Sequence, residues 1–183
     1  MSDRRNSRLS LFLMELIIAI FFFSLASAVC VRLFVGAHVL SRKSEDVSMA
    51  VIWSQNLSEV FWNTKGDVEK MHDAFPGSTS ILYENKEKEG TLILLFNSDW
   101  EIISSSDSGI AYEAMIDIER KSAAEVYSDV TDYGVTLVGE AKVAHICIAD
   151  MSGFDDILTI FPQTSENIIL SNDVDLYIGE EVL

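Results

Sequence analysis

The sequence predicts an α+β chain: one long N-terminal helix, apolar in its first half and amphipathic in its second, packed on a C-terminal antiparallel β-sheet. Three observations carry this. No proline interrupts Leu11 to Trp62, so nothing in that stretch removes a helical hydrogen bond. Beyond Gly66 the apolar periodicity changes to the alternation of strands. The second half of the helix leaves one apolar stripe uncovered, and a sheet is the layer that can cover it.

Residues 1–10 form a short basic leader carrying Arg4, Arg5 and Arg8. From Leu11 to Val31 there are 21 residues with a single charge, Glu15, and a membrane helix needs roughly 20 apolar residues. Residues 11–35 therefore read as a membrane span, with the lipid bilayer as first partner. The arginines ahead of it orient the N-terminus toward the cytoplasm. Residues 36–65 read as an amphipathic continuation, because Val47, Ala50, Trp53, Leu57, Val60 and Phe61 recur at steps of three and four. Unbroken, the 52 residues Leu11–Trp62 would extend about 78 Å.

Residues 66–183 form one β-rich domain. Gly66 is expected to end the long helix. Asp67 caps a short second helix through Val68, Met71 and Phe75, and Pro76-Gly77 marks a turn. Ile81–Glu84 and Thr91–Ile102 read as strands, with Trp100 near the end of the second and Asn85–Gly90 as a charged turn between them. Ile110–Ile118 alternates with period two, one face for the core and one for water. Ser122-Ala123-Ala124-Glu125 fits a capping box. Val143–Ala149 is apolar on both faces, as an interior strand is. Ser152–Asp155 should turn the chain into a hairpin strand over Ile157–Phe161, and Asp173–Ile178 is a final strand. There is no internal repeat and no low-complexity segment.

Charge excludes several functions. From Ser44 to Leu183 seven Lys/Arg face 27 Asp/Glu, a net of −20. Direct nucleic-acid binding is not expected, because phosphate recognition needs clustered cations. The metal and catalytic motifs with fixed spacing are missing, so neither enzymatic activity nor a cofactor is expected. His38, His72 and His145 are far apart, and His145 reads as a packed strand residue with Cys147 on the same face. Cys30 and Cys147 are placed too differently to pair. The acidic segments Asp129–Asp132 and Asn172–Asp175 lack the ligand spacing of a calcium loop and read as solvated turns. Trp53 and Trp62 are expected to pack on the sheet.

Glu15 is the residue that points to function. A carboxylate within a membrane helix costs at least ~2.5–3.5 kcal/mol unless paired. Its helical neighbours Leu11, Phe12, Ile18 and Ala19 are all apolar, so its partner belongs to another chain. The chain from about Arg4 to Trp62 resembles the N-terminal region of type IV pilins and pseudopilins, and the first third of that stretch is the specific part: a short basic leader, a cleavage point, then an apolar helix with Glu at the fifth mature position. The resemblance implies cleavage by prepilin peptidase between Ser10 and Leu11, which puts Glu15 at position five. It implies that Glu15 pairs with the new amino terminus of a neighbouring subunit. It implies three kinds of partner: other pilin-like subunits, the peptidase and a membrane assembly platform. It also implies a long helix packed on an antiparallel sheet. The family usually has Gly before the cut and Phe or Met after it. Ser10 and Leu11 depart from that pattern, which points to a minor subunit. Two other readings use the same residues. One is a single-pass anchor carrying a binding or sensing domain, neither cleaved nor polymerised. The other is a secretory signal cut after Ala26-Ser27-Ala28, leaving Val29 first.

Overall fold

The computed structural model describes residues 3–84, 89–128, 137–154, 156–161 and 167–179, and their side chains from Leu11 onward. The architecture is α+β, with one long N-terminal helix and a six-stranded antiparallel sheet. The chain divides into two compact units, 1–45 and 46–183.

Helix α1 spans Asp3–Thr64. Within the first unit every residue from Leu11 through Glu45 is exposed. Its apolar stretch is long and apolar enough to cross a membrane, with mean hydropathy 2.4 over its best 18 residues. Ser24, mid-stretch, donates its hydroxyl to the Ile20 carbonyl at 2.8 Å, which satisfies it within the helix.

The second unit begins with the last turns of α1. Ala50, Ser54, Leu57, Ser58 and Phe61 are buried there, a stripe at steps of three and four. Trp53, Met49 and Val60 are half-buried beside them against the same core. Val47 falls outside the stripe and is exposed. Two serines sit inside it, each satisfied: Ser58 donates to the Ser54 carbonyl and Ser54 to Asn172 Oδ1, both at 2.8 Å. Trp62 is half-exposed, and its indole N–H reaches the sheet by donating to the Asp175 carbonyl at 3.2 Å.

The helix ends in a Schellman motif. Gly66 N–H donates to the Phe61 carbonyl at 2.8 Å and Lys65 N–H to that of Trp62 at 3.2 Å. Lys65 therefore takes the left-handed cap position, at φ 55°, and Gly66 follows at φ 62°. The buried Lys142 donates its ammonium to the Gly66 carbonyl at 2.6 Å. A Cβ on Gly66 would lie 2.8 Å from Lys142 Cδ and 2.8 Å from Phe61 Cε2. Gly66→Ala is accordingly expected to destabilise the second unit by about 2 kcal/mol, read as a lowered denaturant midpoint at unchanged m-value. An unchanged midpoint would mean that the cap relaxes freely. Asp67 then caps α2 (Val68–Ala74), accepting from Lys70 N–H.

The strands are β1 (Thr79–Leu82), β2 (Gly90–Phe96), β3 (Ile102–Ile103), β4 (Tyr112–Ser122), β5 (Glu140–Asp150) and β6 (Ile168–Gly179). Their spatial order is β1-β2-β4-β5-β6, with β3 paired to the end of β2 and every pairing antiparallel. Short α3 (Ala123–Val126) is capped by Ser122, whose hydroxyl accepts from Glu125 N–H. Leu92, Leu94 and Phe96, Ala114, Ile116 and Ile118, and Ala144, Ile146 and Ile148 pack with α1 and α2 in the main core.

Three expectations change. The second strand stops at Phe96, because Asn97 folds the next residues back. Its side-chain oxygen accepts from Asp99 and Glu101 N–H at 2.9 and 3.0 Å. Trp100 consequently adopts φ 61°, an uncommon conformation for a bulky residue. It is held by stacking on Tyr112 at 4.1 Å between centroids. Second, Ile157–Phe161 forms no strand. β5 pairs instead with β6, which starts earlier than expected and takes in Asn172–Asp175 as strand rather than turn. Third, the outer face of β4 is not open to water throughout. The 157–161 segment crosses it, with Ile157, Leu158 and Phe161 over Ile93, Leu95 and Met115. Most of the charged turn expected after Glu84, residues 85–88, and the acidic segment 129–132 lie outside the described residues.

Candidate functional site

In the first unit, Arg4, Arg5, Arg8 and Ser10 lie on the backbone of α1, ahead of Leu11. Glu15 is exposed, as are Leu11, Phe12 and Ile18 on the adjoining turns. No described residue hydrogen-bonds or ion-pairs with Glu15. The carboxylate is therefore presented outward from an apolar cylinder, where another chain can meet it. Cys30 is a free thiol on the same helix, and His38 is exposed past the apolar stretch.

In the second unit, the register of β4, β5 and β6 sets Asp117, His145 and Asp173 side by side on the outer face of the sheet. Asp117 Oδ1 accepts from the Tyr83 hydroxyl, and from Thr91 Oγ1 at 3.0 Å. Burial first, and then the bond to Asp117, pushes the Tyr83 phenol up from its ordinary value. His145 Nδ1 meets Asp173 Oδ1 at 2.5 Å. A carboxylate only accepts, so Nδ1 donates to Asp173, and Nε2 is left facing the cleft. These groups floor a cleft of about 430 Å³, walled by Ile81, Met115, Ile160 and Phe161. Asp117 Oδ2, His145 Nε2 and Asp173 Oδ2 have no partner among the described residues. No group of His, Cys, Asp and Glu among the described residues could hold a metal ion. The cleft combines a base and its orienting carboxylate, but no described hydroxyl or thiol is bonded to His145 as a nucleophile. Cys147 does not supply one. It is buried, and its thiol is pushed up to about 11 by burial and then by the Glu113 charge.

Glu113 lies on the same outer face, 1% exposed. Its Oε2 accepts from Leu158 N–H at 3.0 Å, which ties the crossing segment to β4. Its Oε1 is buried without a hydrogen bond. Burial pushes this carboxyl up to about 7.

A second cleft, about 420 Å³, lies where α1 ends. Lys65, Lys70, Arg120 and Lys142 line it with Asp67 and Trp62. Four of the seven cations between Ser44 and Leu183 thus gather around one opening. Arg120 is paired with Glu140 at 2.8 Å and with Glu89 at 3.6 Å, and Lys70 lies 3.5 Å from Asp67 with its side chain 67% exposed. Lys65 is exposed and has no partner among the described residues.

Sequence reasoning located Glu15 because an isolated charge in an apolar run is a local signal. It missed both clefts. The strand pattern makes His145 a packed residue, yet it is partly exposed and hydrogen-bonded to Asp173. Only strand register makes Asp117 and Asp173 its neighbours. The available hint was that Asp117 and Asp173 occupy polar positions of alternating strands and that His145 is the one polar residue of the otherwise apolar Val143–Ala149. No family model, curated protein or solved structure matches this chain.

Proposed function

We propose that this chain is a structural subunit of a type IV filament system, a minor pilin or pseudopilin. It inserts as a single-pass span in the cytoplasmic membrane with its N-terminus inside. The observation that carries this reading is Glu15, the lone charge of an apolar helix that no described residue of its own chain neutralises. Arg4, Arg5 and Arg8 hold the leader on the cytoplasmic side. Prepilin peptidase cuts between Ser10 and Leu11 and creates a new amino group. Docking beside a neighbour brings that neighbour's amino group to Glu15, and the ion pair removes the cost of the buried carboxylate. The remaining exposed side chains, from Leu11 to Leu40, pack against other helices in the filament core, while the acidic helix–sheet unit stays outside and soluble.

The test is the N-terminal residue of the mature protein, read by mass spectrometry from cells with and without the peptidase. A chain that starts at Leu11 only when the peptidase is present is the expected outcome. A start at Met1 in both would leave an uncleaved anchor, and a start at Val29 a secreted domain. The 430 Å³ outer cleft favours a second reading, a membrane-anchored binding or sensing domain, and that reading predicts the uncleaved chain.

A further inference from the structure

The two clefts lie on opposite sides of the sheet. In β4 and β5, Ile116, Ile118, Ala144 and Ile146 face α1, and the alternation of a strand puts Arg120 and Lys142 on that side too. Asp117 and His145 take the alternate positions on the outer side, level with Asp173 of β6. One side of the unit therefore presents Lys65 and Lys70 at the end of α1. The other presents an acidic cleft with apolar walls. Both openings belong to a segment of net charge −20, in which any approaching copy is repelled except where these cations face it.

We infer that copies of this chain stack front to back, with Lys65 and Lys70 of one copy seated in the Asp117–Asp173 cleft of the next. The fit is chemical as well as electrostatic. A lysine has a four-carbon apolar stem and a charged head. The stem lies along Ile81, Phe161 and Ile160, the last 79% exposed, while the ammonium reaches Asp117 Oδ2 and Asp173 Oδ2. The contact joins two different surfaces, so it does not close on itself as a two-fold dimer does, and it continues from copy to copy as an open row or a ring; the filament reading selects the open row. It deepens the filament reading and rests on it for the neighbouring copy in the same membrane.

The experiment uses full-length chains in membranes, with zero-length carbodiimide coupling of lysine amines to carboxylates. A mixture of isotopically light and heavy chains distinguishes bonds between copies from bonds within one. Wild type is expected to give inter-copy links from Lys65 or Lys70 to Asp117 or Asp173. The variants K65E/K70E and D117K/D173K each set like charges face to face, and each alone should lose about tenfold or more of its association. Mixed together they should recover it, because every contact in an alternating row is again between opposite charges. Asp117 also accepts from Tyr83 and Thr91. The milder D173K, at a side chain 67% exposed, is therefore run beside the double variant. A mixture no better than either variant alone, in chains that fold and insert, overturns the stacking. Where the chain starts at Leu11 and needs Glu15 to associate, that failure is the stacking's alone. Where the chain stays uncleaved and associates without Glu15, the filament reading fails, and the mixing result still decides the stacking.

Discussion

Replacing Glu15 by Ala is expected to reduce assembled filaments by at least about 100-fold while leaving membrane insertion intact. The magnitude follows from the ~2.5–3.5 kcal/mol that an unpaired carboxylate costs within a membrane helix, about a factor of 100 in an equilibrium constant. On the proposed filament reading that cost is relieved only on docking, so it becomes a driving force for assembly. Alanine removes the cost from the free subunit and with it the gain on docking. It also makes the helix more apolar, so lost insertion cannot explain lost assembly. Glu15→Gln retains hydrogen bonding without charge and should fall between the two. The measurement is the sheared filament fraction set against the membrane fraction of the same cells. Normal assembly by the alanine variant would remove the ion pair from the mechanism and leave an ordinary anchor.

A comparable effect on stability is expected at Glu113. Its carboxyl is raised from 4.5 to about 7 by burial, opposed by the bond from Leu158 N–H. The native state therefore holds a proton that the unfolded state has already released, across the window from about 4.5 to about 7. Stability falls as pH rises through this window, and the full cost is present above it. Glu113→Gln keeps an oxygen for Leu158 N–H and removes the charge. At pH 8 the variant should be more stable by about 3 kcal/mol, or about 10 °C in thermal midpoint. At about pH 4 the two should coincide, because the native carboxyl is then neutral like the amide. Thermal unfolding of both proteins across that range measures it. A difference that does not change with pH would show that Glu113 is hydrated in the native state and that the 157–161 segment does not seal it.

Much of the fold could be read locally. The unbroken apolar run, the stripe from Ala50 to Phe61, the Asp67 and Ser122 caps and the β4 alternation each depend on residues within a few positions of one another. Their physical causes are local too: helical spacing, unsatisfied N–H groups at helix starts, and the pleat of a strand. Glu15 belongs with them, since its meaning depends only on the apolar residues around it. Element ends were less legible where a side chain overrode propensity. Thr91–Ile102 is apolar enough to continue as a strand, but Asn97 turns it, and Trp100 accepts a left-handed backbone to stay in the core. Ile157–Phe161 has strand composition, yet β6 takes the edge of β5 and leaves that segment to cross the outer face.

The sequence by itself determined the layer order, the span-length helix and the isolated carboxylate within it. The tertiary structure alone decided which polar groups meet. Glu113 is an ordinary outward strand position until Leu158 is laid over it. Asp117, His145 and Asp173 become one site only through the pairing of three strands. The cations at the end of α1 come together because a helix end, a loop and two strands converge there. Periodicity states which way a side chain points, whereas register and crossing segments, set by packing between distant parts of the chain, state what it points at.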